Sequence, residues 1–369
     1  MLHCSARPRC AAFAALLSLA LNICYAAAVR NVPVARRILQ DSSLPTYQLV
    51  EYVGTSGATL TTGDIAKFPS PPDNVRLSWV VAFVGDATSD TTPSGTFRCT
   101  GGSFCSGADL DQDLITAVKA IGGSNANGQT QVYAGLGGAN YPSWPDSSPD
   151  GYADKAAASL IAYAKNNNLV GYDLDFENGL NDDWVTQWTS IIFQLEKAGV
   201  IVTIDPFSGT KERYGQLYAA LGKLGATGGF IGPEVSGVNY QAYAFDGNGS
   251  PSSEQDVMDD FSSGDSSVFN EFGVAKGQEI IFGVAPNRPG PESTPPVDSD
   301  CAGIERIKDL VCPALRDCTK GDLCADYTKS WAGGIMVFDF DTEFKLGKFT
   351  LVNTAYQALS GHCDDIQKC

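Results

Sequence analysis

Short runs of β-branched and aromatic residues alternate along this chain with longer stretches whose apolar positions recur every three or four residues. The first pattern predicts buried strands and the second predicts amphipathic helices. Strands are expected at 48–53, 77–84, 131–136, 169–177, 200–206, 235–243, 279–284 and 333–339. Helices are expected between and after them, at 111–121, 153–165, 182–197, 211–224, 256–272, 304–315 and 346–359. In the third helix, Trp184, Trp188, Ile191, Ile192 and Leu195 share one face, so the two tryptophans read as core. Eight strands, each followed by helical or loop-plus-helix material, predict an α/β fold closed into a single-domain (β/α)8 TIM barrel. The longest stretches without periodicity, 85–110, 137–151, 245–254 and 286–302, all follow strands. They fall on the C-terminal face, where such barrels build their sites.

Composition narrows the chemistry. The 369 residues are 43% hydrophobic, enough for a large core. They carry 42 acidic against 25 basic side chains, a net charge of −17 that speaks against nucleic acid or an anionic membrane surface as partner. Only two histidines occur, His3 and His362, near the two ends. A central imidazole base, a Ser/His/Asp triad and a His-rich metal site therefore have no residue to use. Carboxylates are the expected agents, with no metal and no cofactor.

The first 28 residues have the pattern of a secretory signal: Arg7 and Arg9, an apolar run over 11–21, and Ala26-Ala27-Ala28 as a small-residue cleavage site. The run is short for a membrane span. The chain is thus expected to be secreted, without stable membrane association, with 1–28 removed, 29–46 a flexible leader and 47–369 the barrel. Export removes Cys4, Cys10 and Cys24 and leaves eight of the 11 cysteines, an even set that suits disulfides. Short staples are expected, pairing Cys99 with Cys105, Cys301 with Cys312, Cys318 with Cys324 and Cys363 with Cys369. Spacing alone does not choose among the connectivities that eight cysteines allow.

The segment from Leu169 to Glu177, LVGYDLDFE, is the most informative. Asp173, Asp175 and Glu177 alternate with Tyr172, Leu174 and Phe176, which puts three carboxyls on one face and three apolar groups on the other. In a barrel strand the apolar face packs on the helices and the acids point inward. Crowded, partly desolvated acids raise one another's pKa, and a carboxyl kept protonated in this way serves as a general acid. Glu177, at the C-terminal end and nearest the mouth, is best placed for it. Two other signals lead nowhere. Asp109-Leu-Asp-Gln-Asp113 starts like a calcium loop but has Leu114 where the turn needs Gly. Gly135-Leu-Gly-Gly138 lacks the full dinucleotide pattern.

The acidic strand resembles the D-G-x-D-x-D-x-E signature of glycoside hydrolase family 18, the chitinase family, with Gly171, Asp173, Asp175 and Glu177 matching. Other segments are similar to that family in the same order. Tyr133-Ala-Gly-Leu-Gly-Gly138 resembles the strand-three S-x-G-G motif, Val238-Asn-Tyr-Gln-Ala-Tyr243 the strand-six segment of plant-type members, and Gly333-Gly-Ile-Met-Val-Phe338 the last strand. The resemblance implies retaining, substrate-assisted cleavage next to β-linked N-acetylglucosamine, one of the exceptions to the two-carboxylate scheme. It assigns Glu177 as general acid, Asp175 as the group holding the substrate acetamide, Asp173 as its tuning partner and Tyr243 as a donor to the acetamide oxygen. Gln241 becomes a further sugar contact, Phe338 the floor of the central subsite, and Trp144 or Tyr141 a stacking platform. Chitin or another N-acetylglucosamine-containing glycan is the implied partner, bound by a monomer. The alternatives it leaves are an endo-acting hydrolase of N-glycans and a sugar-binding or storage protein without turnover. Three positions depart from the motifs: Val170 replaces the first Asp, Gly135 replaces Ser, and Phe338 replaces Trp.

Overall fold

Strand Tyr47–Val53 (β1) is flanked on one side by Val75–Asp86 (β2) and on the other by Ala332–Val337 (β8), and both pairings are parallel. Between them run Gln131–Gly138 (β3), Gly171–Phe176 (β4), Ile201–Ile204 (β5), Gly237–Tyr240 (β6) and Ile280–Val284 (β7), each hydrogen-bonded to the next. The ring of eight parallel strands is therefore closed, as the period of the sequence predicts. The computed structural model describes residues 47–55, 60–86, 93–100, 104–121, 130–139, 141–228, 237–241, 268–272, 280–285, 301–315, 332–345 and 347–367. The expected signal segment 1–28 and leader 29–46 lie outside the described residues.

Alternation along the strands sorts the apolar residues into two sets. Val50, Tyr52, Val80, Ala82, Tyr133, Ile281 and Met336 pack inside the barrel, with Phe83, Val170, Ile201 and Phe338 against them. A larger set lies between strands and helices. On β4, Tyr172, Leu174 and Phe176 belong to that outer layer, and the Phe176 ring centroid is 4.9 Å from that of Trp188 and 6.1 Å from that of Trp184. Burying a phenylalanine so completely stabilises the fold by about 2–3 kcal/mol. It also fixes which face of β4 looks inward.

The long helices follow the expected stretches: Gln112–Ile121 (α1), Tyr152–Asn166 (α2), Asp182–Lys197 (α3) and Lys211–Gly228 (α4). Asn181 caps α3 by accepting the Trp184 N–H, and Asp182 and Asp183 sit in its first turn, where the helix dipole favours negative charge. Of the helix expected at 256–272, only Val268–Glu271 falls among the described residues. The last helix, Thr350–Leu359 (α5), starts later than expected. The buried Glu343 carboxylate accepts the N–H groups of Leu351 at 2.6 Å and Val352 at 3.4 Å, so it sets the start, and a separate short helix, Phe340–Lys345, precedes it.

Among the described residues, two disulfides staple this frame. Cys99–Cys105 closes the small antiparallel arm after β2, built from Phe97–Cys99, Cys105–Ser106 and Asp109–Leu110. Cys312 pairs with Cys363, which corrects the expected pairings of Cys301 with Cys312 and of Cys363 with Cys369. Cys301 and Cys312 stand on one continuous helical segment, Cys301–Arg306 followed by a π turn over Ile307–Val311 and by Cys312–Leu315. Eleven residues of helix separate them by about 16 Å, beyond the reach of a disulfide. The chain's return after α5 instead brings Cys363 to Cys312. Cys318, Cys324 and Cys369 lie outside the described residues. Among the described residues, no helix is long and apolar enough to cross a membrane.

Candidate active site

Two glycines let the acidic strand sit where it does. A Cβ at Gly171 would overlap the Ile201 carbonyl of β5, so only glycine permits β4 and β5 to approach so closely at that rung. Gly137, at φ +114°, has no room for a Cβ, which would lie 2.5 Å from the Asp175 carbonyl oxygen. The end of β3 thereby lies flush against β4, in register Gly135 with Asp173 and Gly137 with Asp175. Behind the strand, Tyr214 from α4 accepts the Phe176 N–H at 2.8 Å and donates to the Leu174 carbonyl at 2.8 Å. That hydroxyl takes over the hydrogen bonding of β4 where the sheet ladder ends, just before Glu177.

The carboxyls point into the barrel and are nearly dry. Asp173 is 0% exposed and Asp175 3%, while Glu177 at the rim is half-buried. Asp173 has a full set of donors: Thr203 Oγ1 at 2.6 Å on Oδ1, and Asn239 Nδ2 at 3.0 Å with Tyr52 Oη at 2.6 Å on Oδ2. Asp175 Oδ1 accepts the Gln241 amide at 2.6 Å, and the same amide lies 3.2 Å from the Asp205 carbonyl oxygen. Asp205, 1% exposed at the end of β5, stands 2.9 Å through Oδ2 from Tyr52 Oη.

Electrostatics divides these acids. Burial pushes Asp173 above the ordinary carboxylate range, and its three hydrogen-bond donors pull it back. Asp175 is driven well higher, first by burial and then by the charges of Glu177 and Asp173, and it shares a side-chain hydrogen bond with Glu177. A hydrogen bond between two carboxyls needs a proton, so one proton lies between Asp175 and Glu177. Asp205 is also driven well up, by burial and then by the charges of Asp175 and Asp173. Tyr52 is raised by burial and by the surrounding aspartates, which keeps it a neutral phenol.

The structure thus gathers Asp173, Asp175, Glu177 and Gln241 into one constellation. Phe338 is half-buried at the end of β8, its ring centroid 5.5 Å from that of Tyr52. Gly135 faces the Phe83 ring, which a Cβ there would meet at 3.2 Å. Tyr141 is half-buried, its ring edge-on to Phe176 at 5.0 Å. Trp144 corrects the expectation of a stacking platform. It is 5% exposed, its ring packs against Tyr152, Phe176 and Trp188, and its indole N–H donates to Asp183 at 2.9 Å. Its faces are spent on the core. Tyr243 lies outside the described residues, two positions beyond Gln241.

Four members of the constellation escaped the reading of the sequence: Tyr52, Thr203, Asp205 and Asn239. Their signal was present. Thr203 and Asp205 alternate with Val202 and Ile204 as the acids of β4 alternate with its apolar residues, and polar side chains on an inward strand face need partners inside the barrel.

Comparisons with known proteins agree with this architecture. No protein-family model matches the chain. One curated relative, Chitinase 1 of Tulipa saxatilis subsp. bakeri, is 27% identical over 202 residues, 53% of this chain and 59% of the relative. The chain thus spans about three-fifths of the length of that relative. Among solved structures, the family 18 chitinase from Crocus vernus superimposes with a TM-score of 0.57 at 22% identity, over 84% of this chain and 98% of that one. The catalytic domain of a family GH18 chitinase from the fern Peteris ryukyuensis gives 0.55 at 18% identity, over 85% and 99%. A GH18 chitinase from Pseudoalteromonas aurantia gives 0.54 at 17%, over 84% and 99%. These likenesses establish the fold.

Proposed function

We propose that this chain, whose barrel is the fold of the family-18 chitinases, is a secreted glycoside hydrolase that cleaves β-1,4 bonds next to N-acetylglucosamine in chitin or chito-oligosaccharides. The observation that carries the reading is the inward row of Asp173, Asp175 and Glu177 at the C-terminal mouth of a barrel, with the buried Asp175 held by the Gln241 amide at 2.6 Å.

The chemistry follows from the division of charge. With one proton between the two carboxyls, Glu177 at the rim is the member that can reach a glycosidic oxygen and protonate it as the bond breaks. With that proton on Glu177, Asp175 is the anion beneath the sugar, and Glu177 is left as a carboxylate once the leaving oxygen has taken the proton. A substrate acetamide, whose N–H needs an acceptor and whose oxygen attacks the anomeric carbon, fits an anion held deep and rigidly in place by Gln241. The oxazolinium ion so formed is positive, and Asp173 and Asp175 supply the compensating field. No protein nucleophile and no histidine is required. Tyr243 is assigned the acetamide oxygen and Phe338 the floor of the central subsite, on the resemblance.

The test is incubation of the protein with N-acetylglucosamine oligomers and, separately, with a high-mannose glycoprotein, following product size by mass spectrometry. Shortened oligomers support the chitinase reading. Cleavage of the glycoprotein alone would replace it with an N-glycan hydrolase, and binding without turnover of either would replace it with a sugar-binding protein.

A further inference from the structure

Tyr52 Oη stands between two carboxylate oxygens, 2.6 Å from Asp173 Oδ2 and 2.9 Å from Asp205 Oδ2. A phenol has one proton to give, so it cannot donate to both. One of the two acids must carry a proton and donate to Tyr52 instead. Asp173 is the anion of the pair, because Thr203 and Asn239 also donate to it. Asp205 has no such support: its Oδ1 is buried with no hydrogen-bond partner among the described residues, and Tyr52 is the side chain that meets its Oδ2.

We infer that Asp205 is a positioning residue that remains a neutral acid at neutral pH, whose O–H donates to Tyr52 and so directs the single Tyr52 O–H onto Asp173. The groups around it act in the same direction. Tyr52 faces Asp205 from β1, and Asp173, Asp175 and Glu177 face it from β4. Tyr214 lies near it from α4, and the described end of β6 presents the uncharged Asn239 and Gln241. Among the described residues a further anion in this dry site would be unpaired, which burial makes costly. The ordered chain from Asp205 through Tyr52 to Asp173 pins the Asp173 charge at the oxygen that Asn239 shares. That fixed charge is one of the causes that raise Asp175 and keep a proton on its pair with Glu177. Asp205 thus acts on the reacting carboxyls through two intermediaries without touching substrate. The protonation claim stands on the geometry alone, whereas its effect on turnover rests on the hydrolase reading.

The two are tested separately on the full chain. Infrared difference spectra at pH 7 between the wild type and Asp205→Asn are expected to show a protonated-carboxyl C=O stretch in the wild type that the variant lacks; no such difference would overturn the inference whatever the protein hydrolyses. On N-acetylglucosamine oligomers, Asp205→Asn, whose amide N–H replaces the acid O–H, is expected to keep kcat within about threefold. Asp205→Leu is expected to lose about tenfold or more in kcat with KM little changed, the scale of a misdirected hydrogen bond to a charged group. An Asn variant as impaired as the Leu variant would mean that the charge of Asp205 is needed, and would also overturn the inference. If the wild type turns over none of these oligomers, the hydrolase reading fails and the infrared result still decides the proton. If Asp205→Leu does not fold, Asp205→Asn alone is decisive in both measurements.

Discussion

Gln241, one residue past β6, donates its side-chain amide to Asp175 Oδ1 at 2.6 Å, reaching past β5 to touch the middle one of the three carboxyls on the acidic strand. This bond is the one that lowers Asp175 against burial and two neighbouring charges. Gln241→Leu is therefore expected to raise Asp175 further, leave it poorly oriented and cut kcat by about 10–100-fold, the worth of a hydrogen bond to a charged group. Steady-state kinetics on N-acetylglucosamine oligomers check this, with circular dichroism to confirm folding; a folded variant with wild-type kcat would contradict it.

Trp144 is bonded to Asp183 and enclosed by Tyr152, Phe176 and Trp188. Trp144→Phe is expected to lower stability by about 1–3 kcal/mol through the lost N–H bond and lost volume, and to leave oligosaccharide affinity unchanged. Thermal melts and titration calorimetry separate the two effects. Unchanged stability with lost affinity would restore the stacking role.

The Cys312–Cys363 bridge closes a loop with a sequence separation of 51 residues. A loop of about 50 residues constrains the unfolded chain by roughly 4 kcal/mol in the entropic account, so Cys312→Ser is expected to lower the denaturant midpoint strongly. Non-reducing peptide mapping is expected to recover a cross-linked peptide containing Cys312 and Cys363. A Cys301–Cys312 peptide in its place would refute the pairing.

Asp175 and Asp205 both sit well above the ordinary aspartate value of 3.8 in the folded chain. Below that value both states are protonated and the stabilising contribution is complete. Between 3.8 and the raised folded values the unfolded chain binds fewer protons than the native one, so stability falls as pH rises. Asp205→Asn removes one of these groups. Its thermal midpoint is expected to gain on the wild type between pH 5 and pH 8, and a difference independent of pH would show that Asp205 does not keep its proton.

The eight strands were legible because a closed parallel barrel buries both strand faces, and the resulting apolar runs and alternations survive in the sequence. The strand expected at 200–206 is observed as Ile201–Ile204, and the one at 333–339 as Ala332–Val337. Trp184 and Trp188 were legible as core from helical spacing. What sequence did not yield depends on neighbours across the barrel. Tyr52 reads as one more aromatic in a strand until β1 is seen to face Asp173 and Asp205. Trp144 in an aperiodic loop resembles a platform until Asp183 and Phe176 enclose it. The start of α5 is set by Glu343, seven residues before Thr350, on a separate helix. Cysteine spacing likewise carries no record of the chain returning from α5 to Cys312.

The hydrolase reading depends on Glu177 delivering a proton while the substrate supplies its own nucleophile. Proton NMR of oligomer cleavage, wild type beside Glu177→Gln, tests this most directly. The β anomer is expected to appear first, and Glu177→Gln to lose about 100–10,000-fold in kcat, the span of general acid catalysis, while still binding the oligomer. Initial release of the α anomer, or undiminished turnover by Glu177→Gln, would contradict it.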